Sequence, residues 1–168
     1  MTDTHVRDVP AAMSQAPVQL RLEVVVIPIA DFDRAKAFYT ALEWRFDGEL
    51  NLDGGYRLAQ FTPPGSTASI IFGTQITSAH PGSFDGLVLV VDDIETARDD
   101  LLSRGAEVSD VFHDAGGTVI GGFHIGNDGR APGPDPEGRS YASYVSFYDS
   151  EGNRWVVQEI TERFPGRV

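Results

Sequence analysis

Cysteine is absent from the sequence. Its absence excludes disulfide bonds, thiolate nucleophiles and zinc sites with sulfur ligands, and it suits the reducing environment of the cytoplasm. Long apolar runs are also missing, because no stretch approaches the about 20 residues that a membrane-spanning helix needs. We therefore expect a cytoplasmic protein that does not enter a membrane.

Basic residues are scarce. The chain has 13 lysines and arginines against 25 aspartates and glutamates, which gives a formal net charge of −12. A surface of this sign repels polyanions, so nucleic acid and anionic membranes are poor partners. The acidic residues are spread along the chain, which indicates a role in solubility rather than one specific acidic site.

The first 19 residues contain no continuous apolar run and only one early basic residue. This composition predicts a flexible N-terminal tail rather than a signal peptide. The Gly-x-Ser-x-Gly nucleophile motif is missing, and the glycine pairs of the chain lack the lysine and the strand–helix context of a phosphate-binding loop. The rest of the chain is long enough for one domain or for two small modules that share a core.

The chain contains an internal repeat. The apolar run that includes Val24 recurs 62 positions later at Gly86, and the offset continues into the segment that follows each run. In both copies an aspartate, Asp31 or Asp93, stands where the strand ends and is suited to cap a helix. The pattern predicts helices over 33–42 and 94–103.

Short strand patterns follow each helix, at 45–52, 56–61 and 68–72 in the first half and at 107–112, 141–147 and 154–160 in the second. Each half is therefore a predicted βαβββ unit. The sequence predicts an α+β fold in which two tandem units form a curved, open, mixed sheet around a cleft, because neither unit covers both faces of its sheet alone. The expected divisions are 1–19 for the tail, 20–76 and 85–161 for the modules, 77–84 for a linker, and 162–168 for a C-terminal tail.

A segment rich in glycine and proline, 115–140, interrupts the second unit. Loops of this length are uncommon in compact domains and are usually functional lids or disordered segments. A tolerated surface insertion is an equally good interpretation. The sequence leaves the two alternatives open.

Three motifs carry a resemblance to a known family. They are the strand followed by Asp-Phe-Asp-Arg-Ala and Phe38-Tyr39, the Val-Val-Asp-Asp-Ile segment of the second half, and the turn Asp-Ser-Glu-Gly-Asn at 149–153. Together they resemble the vicinal oxygen chelate superfamily, which includes glyoxalase I, bleomycin resistance proteins, extradiol dioxygenases and fosfomycin resistance enzymes. The resemblance spans about 20–160 and implies paired βαβββ modules around a metal held by four side chains.

The four metal-ligand positions that this resemblance implies fall on Val24, Ile71, Gly86 and Val156. Divalent metals need nitrogen, oxygen or thiolate donors, and none of these side chains offers one. We therefore predict that the usual metal site of the family is absent and that the protein uses no cofactor.

Strand alternation predicts a mostly apolar cleft, rimmed by a few polar groups, in place of the metal site. The facing of the third strand, which carries Gln60, is not settled by the pattern. A closed apolar core is the alternative. The predicted ligand-binding residues are Val24, Val26, Gln60, Ile71, Gly86, Val88, Arg154, Val156 and Gln158.

Candidate catalytic residues lie near the insertion: His113 and Asp114 at its start and His124 within it. A histidine oriented by a carboxylate is suited to general base catalysis near neutral pH, and the three residues are also candidates for a relocated metal site. Surface or locally hydrogen-bonded histidines are the simpler interpretation of each taken alone.

Two functions follow from this reasoning. The first is metal-free binding of a hydrophobic or aromatic small molecule, as in sequestration by bleomycin resistance proteins, for which an acidic surface favours a neutral or cationic ligand. The alternative is a metal-independent isomerase, cyclase, lyase or hydrolase that acts on a secondary metabolite with acid–base groups from the insertion. A homodimer is a further expectation, because a cleft on this scaffold can be completed by a second chain.

Overall fold

The structure is a computed structural model that describes residues 18–119, 121–123 and 127–166, so most of the predicted N-terminal tail lies outside the described residues. The first module contains β1 (Val24–Val26), α1 (Phe32–Ala41), β2 (Arg45–Leu52), β3 (Tyr56–Thr62) and β4 (Ser69–Gly73). The second contains β5 (Asp85–Val91), α2 (Ile94–Ser103), β6 (Phe112–Asp114), a 3-10 turn (Gly121–Phe123), β7 (Arg130–Pro132), β8 (Ser143–Tyr148) and β9 (Arg154–Glu159).

Both helices begin at the predicted aspartate caps. Asp31 Oδ1 accepts a hydrogen bond of 3.0 Å from the backbone N–H of Arg34, and Asp93 Oδ1 accepts one of 2.9 Å from that of Thr96. Each bond satisfies a donor that the first helical turn leaves unpaired. Within the described part of the chain, no helix is both long enough and apolar enough to cross a bilayer.

The strands form two mixed sheets, with the orders β1-β4-β3-β2 and β5-β9-β8-β6-β7. The pairs β1–β4 and β5–β9 are parallel, and the other pairs are antiparallel. The register confirms the repeat, since Val26 lies opposite Ile71 and the equivalent Val88 lies opposite Val156. The α+β fold with two modules is therefore as predicted.

Both modules share one apolar core. Tyr39 and Phe72 of the first module and Phe147 and Trp155 of the second all belong to a single cluster of buried side chains. The rings of Tyr39 and Phe72 stack with centroids 5.6 Å apart, and Trp155 Nε1 donates to the Tyr39 hydroxyl at 3.3 Å. We call the face of each sheet that is turned away from this core its open face.

The predicted strand at 107–112 is wrong in its bounds. Val108 forms only an isolated bridge with Phe147, and the strand itself is β6, which begins at Phe112. The insertion also contributes a strand that the pattern did not predict, because β7 pairs antiparallel to β6. A strand of three residues ending in proline has no alternation to recognise, and its position at the sheet edge tolerates the missing proline N–H.

The turn at 149–153 holds the two modules together. Glu151 Oε2 accepts hydrogen bonds from the backbone N–H groups of Ala30 at 2.6 Å and Asp31 at 3.1 Å, and its Oε1 accepts one from Arg34 Nε at 2.8 Å. Asn153 Nδ2 donates to the carbonyl oxygen of Pro28 at 3.0 Å. A motif that the sequence identified as a hairpin turn therefore also caps the N-terminus of α1 from the other module.

Candidate functional site

The positions that the resemblance assigns to the family's metal ligands carry residues without donor side chains in both sheets. Val24 and Ile71 lie on the paired strands β1 and β4, and Gly86 and Val156 lie on the paired strands β5 and β9. Val, Ile and Gly do not fit the metal ion that the family implies, because they provide no donor atom. Among residues 18–119, 121–123 and 127–166, no three or more His, Asp or Glu side chains are grouped to hold a metal.

The insertion covers part of the open face of the second sheet. Val156 is fully buried there and packs in a small cluster with Phe112 and Tyr144. A Cβ on Gly122 would lie 2.4 Å from Tyr144 Cδ1 and 3.1 Å from Val156 Cγ1, so only glycine permits this approach. The Tyr144 hydroxyl also contacts the carbonyl oxygen of Val119. The insertion is therefore packed on the sheet at these residues.

A cleft of about 610 Å³ opens beside this packed segment, at the end of the second sheet near the β8–β9 turn. Its apolar lining includes Leu102, Val108 and Tyr148, and Tyr148 is 58% exposed. Its polar lining includes Arg130 and Arg154. We call it the arginine cleft. Its volume lies within the range of small-molecule sites.

Arg154 is the predicted ligand-binding residue that lines the arginine cleft. It is buried on β9, opposite Tyr148 of β8. Its Nη1 donates to Asp85 Oδ1 at 2.7 Å and its Nη2 donates to the carbonyl oxygen of Gly122 at 3.0 Å. Charge-assisted hydrogen bonds of this kind hold a guanidinium in one orientation. Arg154 therefore links β5, β9 and the insertion.

Arg130 is the second arginine of the cleft, and the sequence did not identify it. Its guanidinium carbon lies 4.0 Å from the centroid of the Phe112 ring, and Nη1 donates to Asn127 Oδ1 at 3.0 Å. Its Nε is buried and has no hydrogen-bond partner. Burial lowers the pKa of Arg130 from its ordinary value, and the positive charge of Arg154 lowers it further. A lone arginine in a glycine-rich loop has no pattern that marks it as functional.

The other predicted ligand-binding residues do not all line one cavity. Gln60 pairs with Ile71 and so lies on the open face of the first sheet, which settles the facing of β3. Val88 lines a separate cleft of about 550 Å³ between the modules. Gln158 is buried and donates to the carbonyl oxygen of Tyr141 at 2.8 Å. Val24, Val26 and Gly86 are half-buried.

His113 and Asp114 point to opposite faces of β6, because successive residues of a strand alternate. His113 Nδ1 lies 2.9 Å from the carbonyl oxygen of Gly133. The buried Asp114 accepts hydrogen bonds from the Gly116 N–H at 2.6 Å and the Thr118 hydroxyl at 2.5 Å. This geometry does not join the two residues as an acid–base pair. His124 lies outside the described residues.

A model of the Glyoxalase/Bleomycin resistance protein/Dioxygenase superfamily matches residues 21–157. No curated protein sequence matches the chain. Similar solved structures include TnmS3, an antibiotic binding protein from Streptomyces sp. CB03234, with 20% identity, a TM-score of 0.59, and coverage of 86% of this chain and 99% of that one.

Two further structures are comparably similar. A glyoxalase/bleomycin resistance protein from the same Streptomyces strain has 21% identity and a TM-score of 0.58, covering 83% of this chain and 100% of its own. A member of the superfamily from Sphaerobacter thermophilus DSM 20745 has 21% identity and a TM-score of 0.58, covering 84% and 98%. Identities this low show a common fold and not a common ligand.

Proposed function

The chain belongs to the Glyoxalase/Bleomycin resistance protein/Dioxygenase superfamily, and from this premise we propose that it binds an aromatic small molecule in the arginine cleft without changing it chemically. The observation that carries the proposal is a cleft of about 610 Å³ lined by both apolar and polar side chains, in a chain whose predicted metal-ligand positions offer no donor side chain. Such a site supports binding through contact area and a few oriented polar groups.

Tyr148 is the side chain best placed to hold an aromatic ligand. It lines the arginine cleft and is 58% exposed, whereas most large aromatic side chains of the second module are buried in the core. An exposed ring leaves its face open for a second ring to stack on, and aromatic pairs contribute about 0.5–1.5 kcal/mol beyond the buried area. Leu102 and Val108 supply further apolar contact.

A protein of similar fold offers a precedent for binding. The similar structure TnmS3 is described as an antibiotic binding protein. A protein that only sequesters a ligand needs no acid and base at fixed distances from a reacting atom, whereas an enzyme does. In this chain His113 is bonded to a backbone carbonyl oxygen, and Asp114 lies on the other face of its strand. These two residues therefore do not supply the acid–base pair that the enzymatic alternative needs.

We expect the neutral aromatic probe N-phenyl-1-naphthylamine to bind with one saturable site per chain and to be recovered unchanged. Its affinity, followed by fluorescence titration, should fall about tenfold in Tyr148→Ala, because the variant loses a stacking surface in the cleft. Tyr56→Ala is the matched control, since Tyr56 is similarly exposed but lies on β3 of the first module. EDTA and added Zn²⁺ should leave the affinity unchanged.

An equal loss of affinity in both tyrosine variants would place the probe outside the arginine cleft. Loss of binding in EDTA would show that a metal takes part, contrary to the proposal. Conversion of a bound aromatic compound into a product, detected by mass spectrometry, would replace the binding function by the enzymatic one.

We also propose that two copies of the chain associate through the open face of β5. This strand is an edge of its sheet, and Val88 and Val90 are 39% and 42% exposed there. We expect sedimentation to show a dimer. Its dissociation constant should rise at least tenfold in the Val88→Asp, Val90→Asp double variant. Leu50→Asp, an equally exposed position on β2, is the control. A monomeric wild type would contradict the proposal.

A further inference from the structure

Among the described residues, no carboxylate forms an ion pair with Arg130, although the formal net charge of the chain is −12. Within the same part of the chain, Arg130 is the only part-buried arginine that forms no ion pair, since the other two without one, Arg21 and Arg163, are exposed. The arginines that do pair with a carboxylate are Arg34, Arg45, Arg57, Arg98, Arg104, Arg139 and Arg154.

The environment of Arg130 is unfavourable for a charge unless an anion joins it. Its Nε–H is buried with no acceptor, and buried polar atoms in proteins are almost always hydrogen-bonded. Its neighbour in the cleft, Arg154, is also positive and disfavours the charge of Arg130. Burial together with Arg154 outweighs the favourable charge of Asp85, so the pKa of Arg130 is lowered. A buried charge that lacks a partner is destabilising, and the penalty is removed when an opposite charge binds.

The orientation of Arg130 is set before any ligand arrives. The guanidinium lies over the Phe112 ring, with 4.0 Å from its carbon to the ring centroid, and Asn127 holds Nη1. Stacking on an aromatic ring fixes the plane of a guanidinium and leaves its edge to donate. A planar oxyanion such as a carboxylate matches the end of the guanidinium, where Nη1 and Nη2 can donate two parallel hydrogen bonds.

We infer that the ligand of the arginine cleft is an aromatic acid, whose carboxylate or similar oxyanion binds Arg130 while its rings contact Tyr148. The inference rests on the proposed function and names the chemical class of its ligand. It reverses the expectation of a neutral or cationic ligand, because the net charge describes the whole surface whereas binding depends on the local charges. Of the two carboxylates on the lining, Asp85 is engaged by Arg154 and Glu107 is exposed.

Two fluorescent probes of nearly the same shape test the inference. The anion 8-anilinonaphthalene-1-sulfonate differs from the neutral N-phenyl-1-naphthylamine by one sulfonate group. We expect the anionic probe to bind the full chain at least tenfold more tightly. A charge-assisted hydrogen bond in a partly buried site typically contributes more free energy than a tenfold gain in affinity requires. The advantage should shrink as salt is raised, but it should persist at 0.15 M because buried pairs are screened less.

Substitutions at Arg130 locate the anionic group. In Arg130→Gln the anionic probe should lose its advantage while the neutral probe binds as before, which also shows that the variant is folded. Arg130→Lys keeps the charge but loses the planar fork, so it should retain part of the advantage. Arg21→Gln changes the net charge by the same amount at an exposed site and should behave as wild type.

The outcomes separate this inference from the proposed function. If neither probe binds, the proposed function fails. If the neutral probe binds but the anionic probe binds no better, the ligand is not an acid and the binding function stands. If the anionic probe keeps its advantage in Arg130→Gln, or loses it equally in Arg21→Gln, the arginine cleft is not where the anion binds.

Discussion

Glu151→Ala is expected to lower the free energy of unfolding by about 3–4 kcal/mol, the loss typical of removing one partner from a buried charged network. The Glu151 side chain is 0% exposed, and its carboxylate accepts hydrogen bonds from the backbone N–H groups of Ala30 and Asp31 at the start of α1. Without it these donors lose their partner and a cavity forms between the modules. Arg34 is half-exposed and can turn to water, so its lost ion pair contributes little.

Urea denaturation followed by circular dichroism would measure this loss. Glu137→Ala is the matched control, because Glu137 pairs with Arg139 at 3.5 Å while 72% of its side chain is exposed. The control should change the free energy of unfolding by less than about 0.5 kcal/mol. Equal effects of the two substitutions would show that the turn at 149–153 does not join the modules.

The contribution of Glu151 should depend on pH. Burial acts to raise the pKa of its carboxyl, but hydrogen bonds from Arg34, Ala30 and Asp31 outweigh burial, so the pKa lies below its ordinary value of 4.5. A lowered pKa gives stability that is complete above the unfolded-state value and is lost as the pH falls through the folded-state value. The stability difference between wild type and Glu151→Gln should therefore be constant above about pH 5.5 and shrink below pH 4.5.

Gly122→Ala is expected to displace the insertion from the second sheet. The new Cβ would lie 2.4 Å from Tyr144 Cδ1, and Tyr144 is fully buried with its hydroxyl 2.5 Å from the carbonyl oxygen of Tyr141. The ring cannot move away without breaking these contacts, so the collision should cost about 2–3 kcal/mol of stability. Because Arg154 Nη2 donates to the carbonyl oxygen of Gly122, the side chain of Arg154 should also lose its fixed orientation in the arginine cleft.

Limited trypsin digestion and probe binding would test this expectation together. Cleavage after Arg130 and Arg139 should become faster than in wild type, and 8-anilinonaphthalene-1-sulfonate should lose its advantage over the neutral probe. Gly48→Ala is the control, since a Cβ there meets no atom within 4 Å and its backbone is not in the left-handed region. Wild-type behaviour of Gly122→Ala would mean that the insertion does not need the contact with Tyr144.

Much of the fold could be predicted because its causes are local. Asp31 and Asp93 cap helices through bonds to residues three positions later, and period-two alternation separates Val156 from its neighbours Trp155 and Val157. The repeat then aligned Val26 with Val88, and the register of both sheets confirmed it. The assignment of four positions to the family's metal ligands comes from the same alignment and stays a prediction.

The candidate site could be predicted only in part. The alternation indicated Arg154, which lines the arginine cleft, but it gave no sign of Arg130. The short strand β7 has no apolar period, and its pairing with β6 depends on the packing of the whole insertion. His113 and Asp114 are adjacent in sequence, yet a strand turns adjacent side chains to opposite faces.

By itself the sequence determined the two repeated modules and the helix caps, because these depend on residue type, periodicity and short-range hydrogen bonds. Only the tertiary structure decided the rest. Glu151 lies 121 positions from Ala30, whose backbone N–H donates a hydrogen bond to it. Arg154 lies 32 positions from Gly122, whose carbonyl oxygen accepts its hydrogen bond. Contacts at such separations arise from chain packing, which no local pattern encodes; the first joins the two modules and the second holds an arginine that lines the arginine cleft.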